Sequence, residues 1–178
     1  MSPKLRARLR TSTLALPAIL ALAGPATAGA SHQNDEKLVV RGESIIQDSA
    51  GDCPGGVCRL EMTGGTFRGT HGTGAYSGSM KLKVAEAFPN GEDGVCAPIS
   101  GKIVLGEGTK DRLVLAVDGD SCQDGKGDVT QASFTGLAEW SVKYGTGAYA
   151  KARGHGLATF AEDAADRDRM TLIGRISR

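Results

Sequence analysis

From Leu38 to the end of the chain, β-forming runs are broken by Gly, Asp or Asn roughly every ten residues. That punctuation leaves little room for a helix. Beyond the N-terminal apolar run, no ten-residue segment repeats apolar residues at a period of 3.6. Alternation at period two is clear in three places. Met80, Leu82 and Val84 share one face, against Lys81 and Lys83. Phe134, Gly136, Ala138, Trp140 and Val142 share another, against Thr135, Glu139, Ser141 and Lys143. Met170, Leu172, Gly174 and Ile176 share a third, against Thr171 and Arg175. Half-buried antiparallel strands have this pattern. Large residues mixed with Gly and Ala on one face suit the inside of a small tapering barrel. Leu113-Val114-Leu115-Ala116-Val117 is apolar on both faces and reads as a strand covered on both sides.

Eight strands are predicted, near 37–47, 57–69, 76–87, 98–106, 111–118, 129–143, 148–160 and 168–176. The turns between them carry residues that tolerate positive φ: Asn90-Gly91-Glu92-Asp93-Gly94 and Asp118-Gly119-Asp120. Gly106 to Asp111 reads as a hairpin loop, and 161–167 as a charged loop. The pentapeptide Gly-Thr-Gly-Ala-Tyr occurs twice, at 72–76 and 145–149. Each copy is expected to be a tight turn feeding a strand, with Gly72, Gly74, Gly145 and Gly147 serving positive φ or close backbone approach. Phe67-Arg68-Gly69 precedes the first copy, and Phe134-Thr135-Gly136 precedes the second. Duplication of a half-barrel and reuse of one good turn both account for the pair.

The N-terminus has Lys4, Arg6, Arg8 and Arg10, then the apolar run Leu14–Ala23, then Ala26-Thr27-Ala28. A basic region, a short apolar region and a small-x-small site make a secretory signal peptide over 1–28. The apolar run is too short for a membrane span. Residues 29–36 are polar and small, a flexible N-terminus, and 37–178 form the single domain. The leader holds four of the 21 basic residues and no acid, so the remainder is weakly acidic. That balance argues against a nucleic-acid binder. The protein is expected to be secreted, with no membrane span in the mature chain.

Cys53, Cys58, Cys96 and Cys122 all follow the leader. An even count in an exported chain reads as two disulfides, and three connectivities are open. Cys53–Cys58 with Cys96–Cys122 is preferred, because the second pair would clamp the ends of the hairpin formed by predicted strands four and five. A zinc site would need closely spaced ligand pairs, whereas Cys96 and Cys122 stand apart and the three histidines are scattered. Asp120 to Gly125 starts like a calcium loop, but Cys122 holds the third place and Gln131 the twelfth. No metal and no cofactor is expected.

Gly145-Thr146-Gly147-Ala148-Tyr149-Ala150-Lys151-Ala152-Arg153-Gly154 resembles the Gly-Thr-Gly-x-aromatic-x-x-Ala-Arg-Gly stretch of dirigent proteins, which share an eight-stranded barrel with allene oxide cyclases. The span from Cys96-Ala97-Pro98 to Cys122, then Phe134-x-Gly136 and Gly-Thr-Gly, is similar to small exported bacterial proteins with this barrel. The resemblance covers about the last eighty residues and implies an all-β fold, a single antiparallel eight-stranded β-barrel. Tyr144 stands where dirigent proteins carry a further glycine, and His155 where they carry an aromatic. The resemblance therefore implies the fold and not the chemistry.

No nucleophile, base and orienting group are tied together by spacing. His155, between two glycines, is the best single acid–base candidate. His71 precedes the first pentapeptide and reads as a surface histidine. Glu43, Glu61, Glu86 and Glu139 offer no pair at glycosidase spacing. If the chain closes into a barrel, the Phe134–Trp140 face must point inward. With few aromatics to fill the interior, a small cavity is expected. Phe134, Trp140, Val142 and His155 are its candidate lining. The functional expectation is a non-catalytic binding protein for a small apolar ligand or surface component. The alternatives are a cyclase- or dirigent-like enzyme and a filled, purely structural barrel.

Overall fold

A computed structural model describes residues 35–48, 53–91, 94–123, 134–162 and 167–178. The predicted leader, and all of the predicted N-terminal segment except Asp35 and Glu36, lie outside the described residues. The strands are β1 (Glu36–Asp48), β2 (Cys58–Gly69), β3 (Gly72–Leu82), β4 (Phe88–Asn90), β5 (Gly94–Leu105), β6 (Leu113–Gln123), β7 (Phe134–Gly145), β8 (Arg153–Glu162) and β9 (Arg167–Ser177). They hydrogen-bond in the order β3-β2-β1-β9-β8-β7-β6-β5, and β3 pairs with β5 to close the ring. All pairings are antiparallel. The result is a closed eight-stranded barrel, with no free sheet edge in the ring. The short β4 pairs with β5 outside it.

The predicted strands lie within a few residues of the observed ones, apart from three instructive differences. Asp118-Gly119-Asp120 is not a turn but lies inside β6. A Cβ on Gly119 would overlap the Leu137–Ala138 backbone, so this glycine serves the close approach of β7. The third strand begins at Gly72 rather than Tyr76 and ends at Leu82. A 3-10 turn, Val84–Glu86, and β4 follow it. The first pentapeptide is therefore strand, not turn, and the chain reversal is made by Thr70 and His71. The second pentapeptide ends β7 and runs into a 3-10 turn, Gly147–Tyr149. Phe67 lies near the end of β2 and Phe134 at the start of β7, so the two phenylalanines do not occupy equivalent places before the two copies.

Both disulfides form as preferred, Cys53–Cys58 and Cys96–Cys122. Cys96 sits directly opposite Cys122 in the β5–β6 ladder. The apolar stretch at 113–117 is buried at Leu113, Val114, Leu115 and Val117. Val114 lies between Val104 and Tyr144 of the neighbouring strands.

Antiparallel order gives the barrel two distinct ends. At one end the β2–β3, β5–β6 and β7–β8 connections gather, with the start of β1 and the end of β9. Both pentapeptides are there, and this end is called the glycine mouth. At the other end lie both disulfides and the ends of β1, β6 and β8. This end is called the disulfide mouth.

The centre of the barrel is filled. Trp140, Tyr76, Ile103, Leu115, Leu172, Ile176 and Met170 have almost no solvent exposure. Two aromatic rings dominate the packing, and glycines make room for them. Trp140 lies against Gly156 and Gly174, its neighbours across β8 and β9; a Cβ on Gly156 would come within 2.8 Å of the indole. Tyr76 lies against Gly42 and Gly65 in the same way. The indole Nε1 donates to the Leu157 carbonyl at 3.1 Å, which satisfies the one polar atom of the ring. Large rings over glycine gaps are how a narrow barrel fills without overlap.

Candidate functional site

The alternation of β7 is as the sequence predicts. Gly136, Ala138 and Trp140 are buried and Phe134 and Val142 partly so, while Thr135, Leu137, Glu139, Ser141 and Lys143 are exposed. The predicted lining residues nevertheless separate. Trp140 and Val142 belong to the packed core. Of the predicted lining, Phe134 reaches the cavity at the disulfide mouth. His155 does not join the interior. It is exposed on the outer wall, between Ser141 of β7 and Arg175 of β9. The physical reason is phase: Gly154, Gly156 and Ala158 take the inward positions of β8, so His155 must face out.

The cavity at the disulfide mouth has a volume of about 50 Å³. Ile46, Leu60, Met80, Ile99, Phe134 and Phe160 give it an apolar lining, and Asp168 and Glu162 bring carboxyl groups to it. Asp168 stands opposite Glu162 in the β8–β9 ladder and opposite Ser44 in β1. It is 1% exposed, and Ser44 is 6% exposed. Ser44 lies at an irregularity in the β1–β2 register, between Glu43 and Ile45. Bulges of this kind re-aim a side chain and recur near functional sites.

The electrostatics of this corner are unusual. Burial pushes the Asp168 carboxyl up to about 7, and the neighbouring Glu162 charge adds to the rise; a backbone hydrogen bond from Ala161 partly offsets both. Burial pushes the Tyr76 hydroxyl up to about 12, helped by the charges of Asp168 and Glu43 and opposed by the nearby Ser44 hydroxyl. Asp168 Oδ2, Ser44 Oγ and Tyr76 Oη are all buried without a hydrogen bond of good geometry. Buried polar groups are normally paired, because an orphaned one costs ~1–3 kcal/mol. Ser44 and Tyr76 face each other, and of the three only Asp168 lines the cavity, so its free oxygen is the one that a ligand there can partner. A carboxyl titrating near neutrality beside an apolar cavity can accept a hydrogen bond from a ligand, or hold a proton, at ordinary pH.

Neither Asp168 nor Ser44 is among the residues singled out from the sequence. The signal for Asp168 was present. The inward face Met170-Leu172-Gly174-Ile176, stepped back two residues, lands on Asp168. An acid in the inward phase of a strand is the clue. Ser44 follows Leu38, Val40 and Gly42 by the same step.

The glycine mouth is built differently. A recess of about 390 Å³ lies there, lined by Thr73 and Gly74 of the first pentapeptide and by Ala148 and Tyr149 of the second. Its polar groups are mostly satisfied. Thr146 Oγ1 donates to the Lys110 carbonyl at 2.7 Å and accepts from the Arg112 N–H at 3.1 Å. Asp111 Oδ1 accepts from the Ala148 N–H at 2.9 Å. Arg178 donates to Glu36 at 2.6 Å and lies 5.8 Å from the centre of the Tyr149 ring. His71 Nδ1 is 3.5 Å from Glu36 Oε2. Burial lowers the His71 pKa, and Arg178 lowers it further, against the pull of Glu36. Gly72 and Gly147 have φ of 115° and 56°. A Cβ on Gly145 would overlap the Tyr149 carbonyl, and one on Gly74 would stand 3.1 Å from the Phe67 ring.

Glu43, Glu61, Glu86 and Glu139 are exposed and scattered over the wall. The described residues hold no group of three His, Cys, Asp or Glu side chains placed to share a metal ion. No helix among them is long and apolar enough to cross a membrane. No protein-family model, no curated protein and no solved structure matches the chain.

Proposed function

We propose that the chain is an exported binding protein, and that its site is the cavity at the disulfide mouth. Its ligand is a small molecule with an apolar end and a hydrogen-bond-donating group. The observation that carries this reading is Asp168, buried beside an apolar cavity with an unpartnered oxygen. The cavity is far smaller than the ~300–1,000 Å³ of sites that swallow a whole drug-sized ligand. It therefore takes the tip of a ligand, with the rest held at the mouth. The two carboxyl groups favour an alcohol, a phenol or an amine and oppose a carboxylate. The leader-like N-terminus and the two disulfides support export. The resemblance to dirigent proteins and allene oxide cyclases, whose barrels share the strand number found here, supports a barrel that holds a ligand.

Trp140 is buried away from the cavity, so a reporter is better placed at its lining. A Phe160→Trp variant titrated with a terpenoid alcohol, a phenol, an alkylamine and a fatty acid tests the reading. The expected outcome is a fluorescence shift with one or more of the first three and none with the fatty acid. Asp168→Ala should weaken that response about tenfold, the loss of one charged hydrogen bond. No response to any donor-bearing ligand would overturn the proposal.

A cyclase- or dirigent-like enzyme is the second reading. It is favoured by one observation, the Asp168 carboxyl titrating near neutrality, which suits a group that moves protons. A bound ligand recovered chemically changed would decide for it.

A further inference from the structure

The recess at the glycine mouth is a second hollow, separate from the cavity of Asp168. At about 390 Å³ it falls within the ~300–1,000 Å³ of sites that enclose a whole small ligand. Buried core residues line it: Leu38 and Val40 of β1, Leu105 of β5 and Leu113 of β6. The rings of Phe67 and Tyr149 complete an apolar wall. Most polar groups around it are engaged by the loops. Asp111 accepts from the Ala148 N–H, the Thr109 hydroxyl is held between the Gly106 and Asp111 carbonyls, and Arg178 is held by Glu36. His71 is the exception. The chain reversal that carries it is fastened to β1, because Thr70 Oγ1 donates to the Lys37 carbonyl at 3.0 Å and accepts from the Val39 N–H at 3.2 Å. His71 Nδ1 is thereby set 3.5 Å from Glu36 Oε2. Burial and the Arg178 charge favour the neutral ring. An ionised carboxylate can only accept, so the single imidazole proton belongs on Nδ1. Nε2 is then a bare acceptor, and it is buried without a partner. Among the described residues it is the one buried side-chain polar atom of the recess lining left in that state.

We propose that the glycine mouth is a second ligand site, which takes a phenol as a whole ring with its hydroxyl donating to His71 Nε2. The apolar lining receives the ring, and the Phe67 and Tyr149 rings favour an aromatic ligand over an aliphatic one of the same size. The hydroxyl supplies the donor that the surrounding loops do not. A hydrocarbon would fill the recess and leave a buried acceptor unmet. A carboxylate would set an acceptor against an acceptor. An ammonium would bring a second cation beside the Arg178 guanidinium, which also lines the recess. Both pentapeptides contribute to the wall, through Thr73 and Gly74 of the first and Ala148 and Tyr149 of the second. The packed centre around Trp140 and Tyr76 separates this site from the disulfide mouth, so either site can fail without the other.

Amide NMR shifts of the chain titrated with p-cresol test the proposal. The amides of Gly74, Gly106 and Ala148 should move and saturate. The methyl ether of p-cresol keeps the ring and loses the donor, and p-toluate replaces the donor by a carboxylate. Both should bind about tenfold more weakly or worse, the loss of one hydrogen bond to a buried acceptor. His71→Leu should weaken p-cresol by a similar factor. His71→Gln, whose amide oxygen can stand near the place of Nε2, should recover most of the loss, with thermal melts of both variants checking the fold. In the unsubstituted protein, long-range proton–nitrogen correlations of the imidazole should find the proton on Nδ1, and the Nε2 resonance should shift when p-cresol is added. No saturating movement at the three amides, a methyl ether that binds as tightly as p-cresol, or a free protein with the proton on Nε2 would overturn the proposal. A folded His71→Leu variant that binds p-cresol unchanged would do the same. Movement confined to the amides of Phe160, Glu162 and Asp168 would overturn it and leave the disulfide-mouth reading standing.

Discussion

The two mouths of the barrel are closed by different physics. At the glycine mouth, short loops hold one another through hydrogen bonds: Thr146 to the Lys110–Arg112 backbone, Asp111 to Ala148, Arg178 to Glu36. At the disulfide mouth the strands are tied by Cys53–Cys58 and Cys96–Cys122, and Asp168 at the cavity has a buried oxygen without a good hydrogen bond. The glycine mouth keeps one buried polar atom without a hydrogen bond, His71 Nε2, beside its recess. An end with orphaned polar groups around a cavity is costly unless something binds there. Covalent ties at the disulfide mouth offset part of the cost.

The largest test of this contrast is at Asp168. Its folded-state pKa is about 7, raised from an ordinary 3.8. The native state therefore binds the proton more tightly than the unfolded state does. Stability is fully present below about pH 4 and is lost as pH rises to about 7, by an amount on the order of 4 kcal/mol. Asp168→Asn should remove this loss. The variant should melt well above the parent at pH 8 and about equally with it at pH 4. A pH-independent difference would mean that the carboxyl is not strained by burial.

The disulfides come next. Replacing Cys96 and Cys122 by Ala opens a link of sequence separation 26, worth roughly 3.5 kcal/mol in the chain-entropy model. The Cys53–Cys58 link, of separation 5, is worth roughly 2 kcal/mol. Denaturant midpoints of the two double variants should fall in that order. Equal midpoints would show that loop length does not set the contribution here.

At the glycine mouth, Gly147→Val should cost about 2 kcal/mol. Gly147 has φ of 56°, and an added Cβ would overlap Asp111. Gly74→Ala, in an extended strand beside Phe67, should cost less than about 1 kcal/mol. If both variants melt alike, the distinction between turn copy and strand copy fails. The smallest effect is Glu36→Gln. Its ion pair with Arg178 is solvent-exposed, so its loss should shift stability by no more than about 0.5 kcal/mol. A larger loss would show that the Glu36–Arg178–His71 group organises the mouth.

The two pentapeptides show how far local sequence reaches. Gly72 to Tyr76 and Gly145 to Tyr149 are identical in sequence and differ in structure. The first pairs with β2 along its length, meets β5 at Tyr76 and runs as strand, with Tyr76 sealed in the core. The second must carry the chain from β7 to β8 and is caught by the β5–β6 loop, with Tyr149 partly exposed under Arg178. Five residues cannot encode which neighbour they will meet.

Strand number, strand phase and the two disulfides were legible in the chain alone, because side-chain alternation and turn residues are local properties. Period two also placed Asp168 in the inward phase of β9, although its importance could not be read there. Only closure of the ring brought Ser44, Tyr76, Glu162 and Asp168, from four strands, to one corner of the interior. The phase of β8, with Gly154, Gly156 and Ala158 inward, turned His155 outward. Ser44 and Asp168 meet because β1 pairs with β9, strands at opposite ends of the described chain, and no local pattern encodes that pairing.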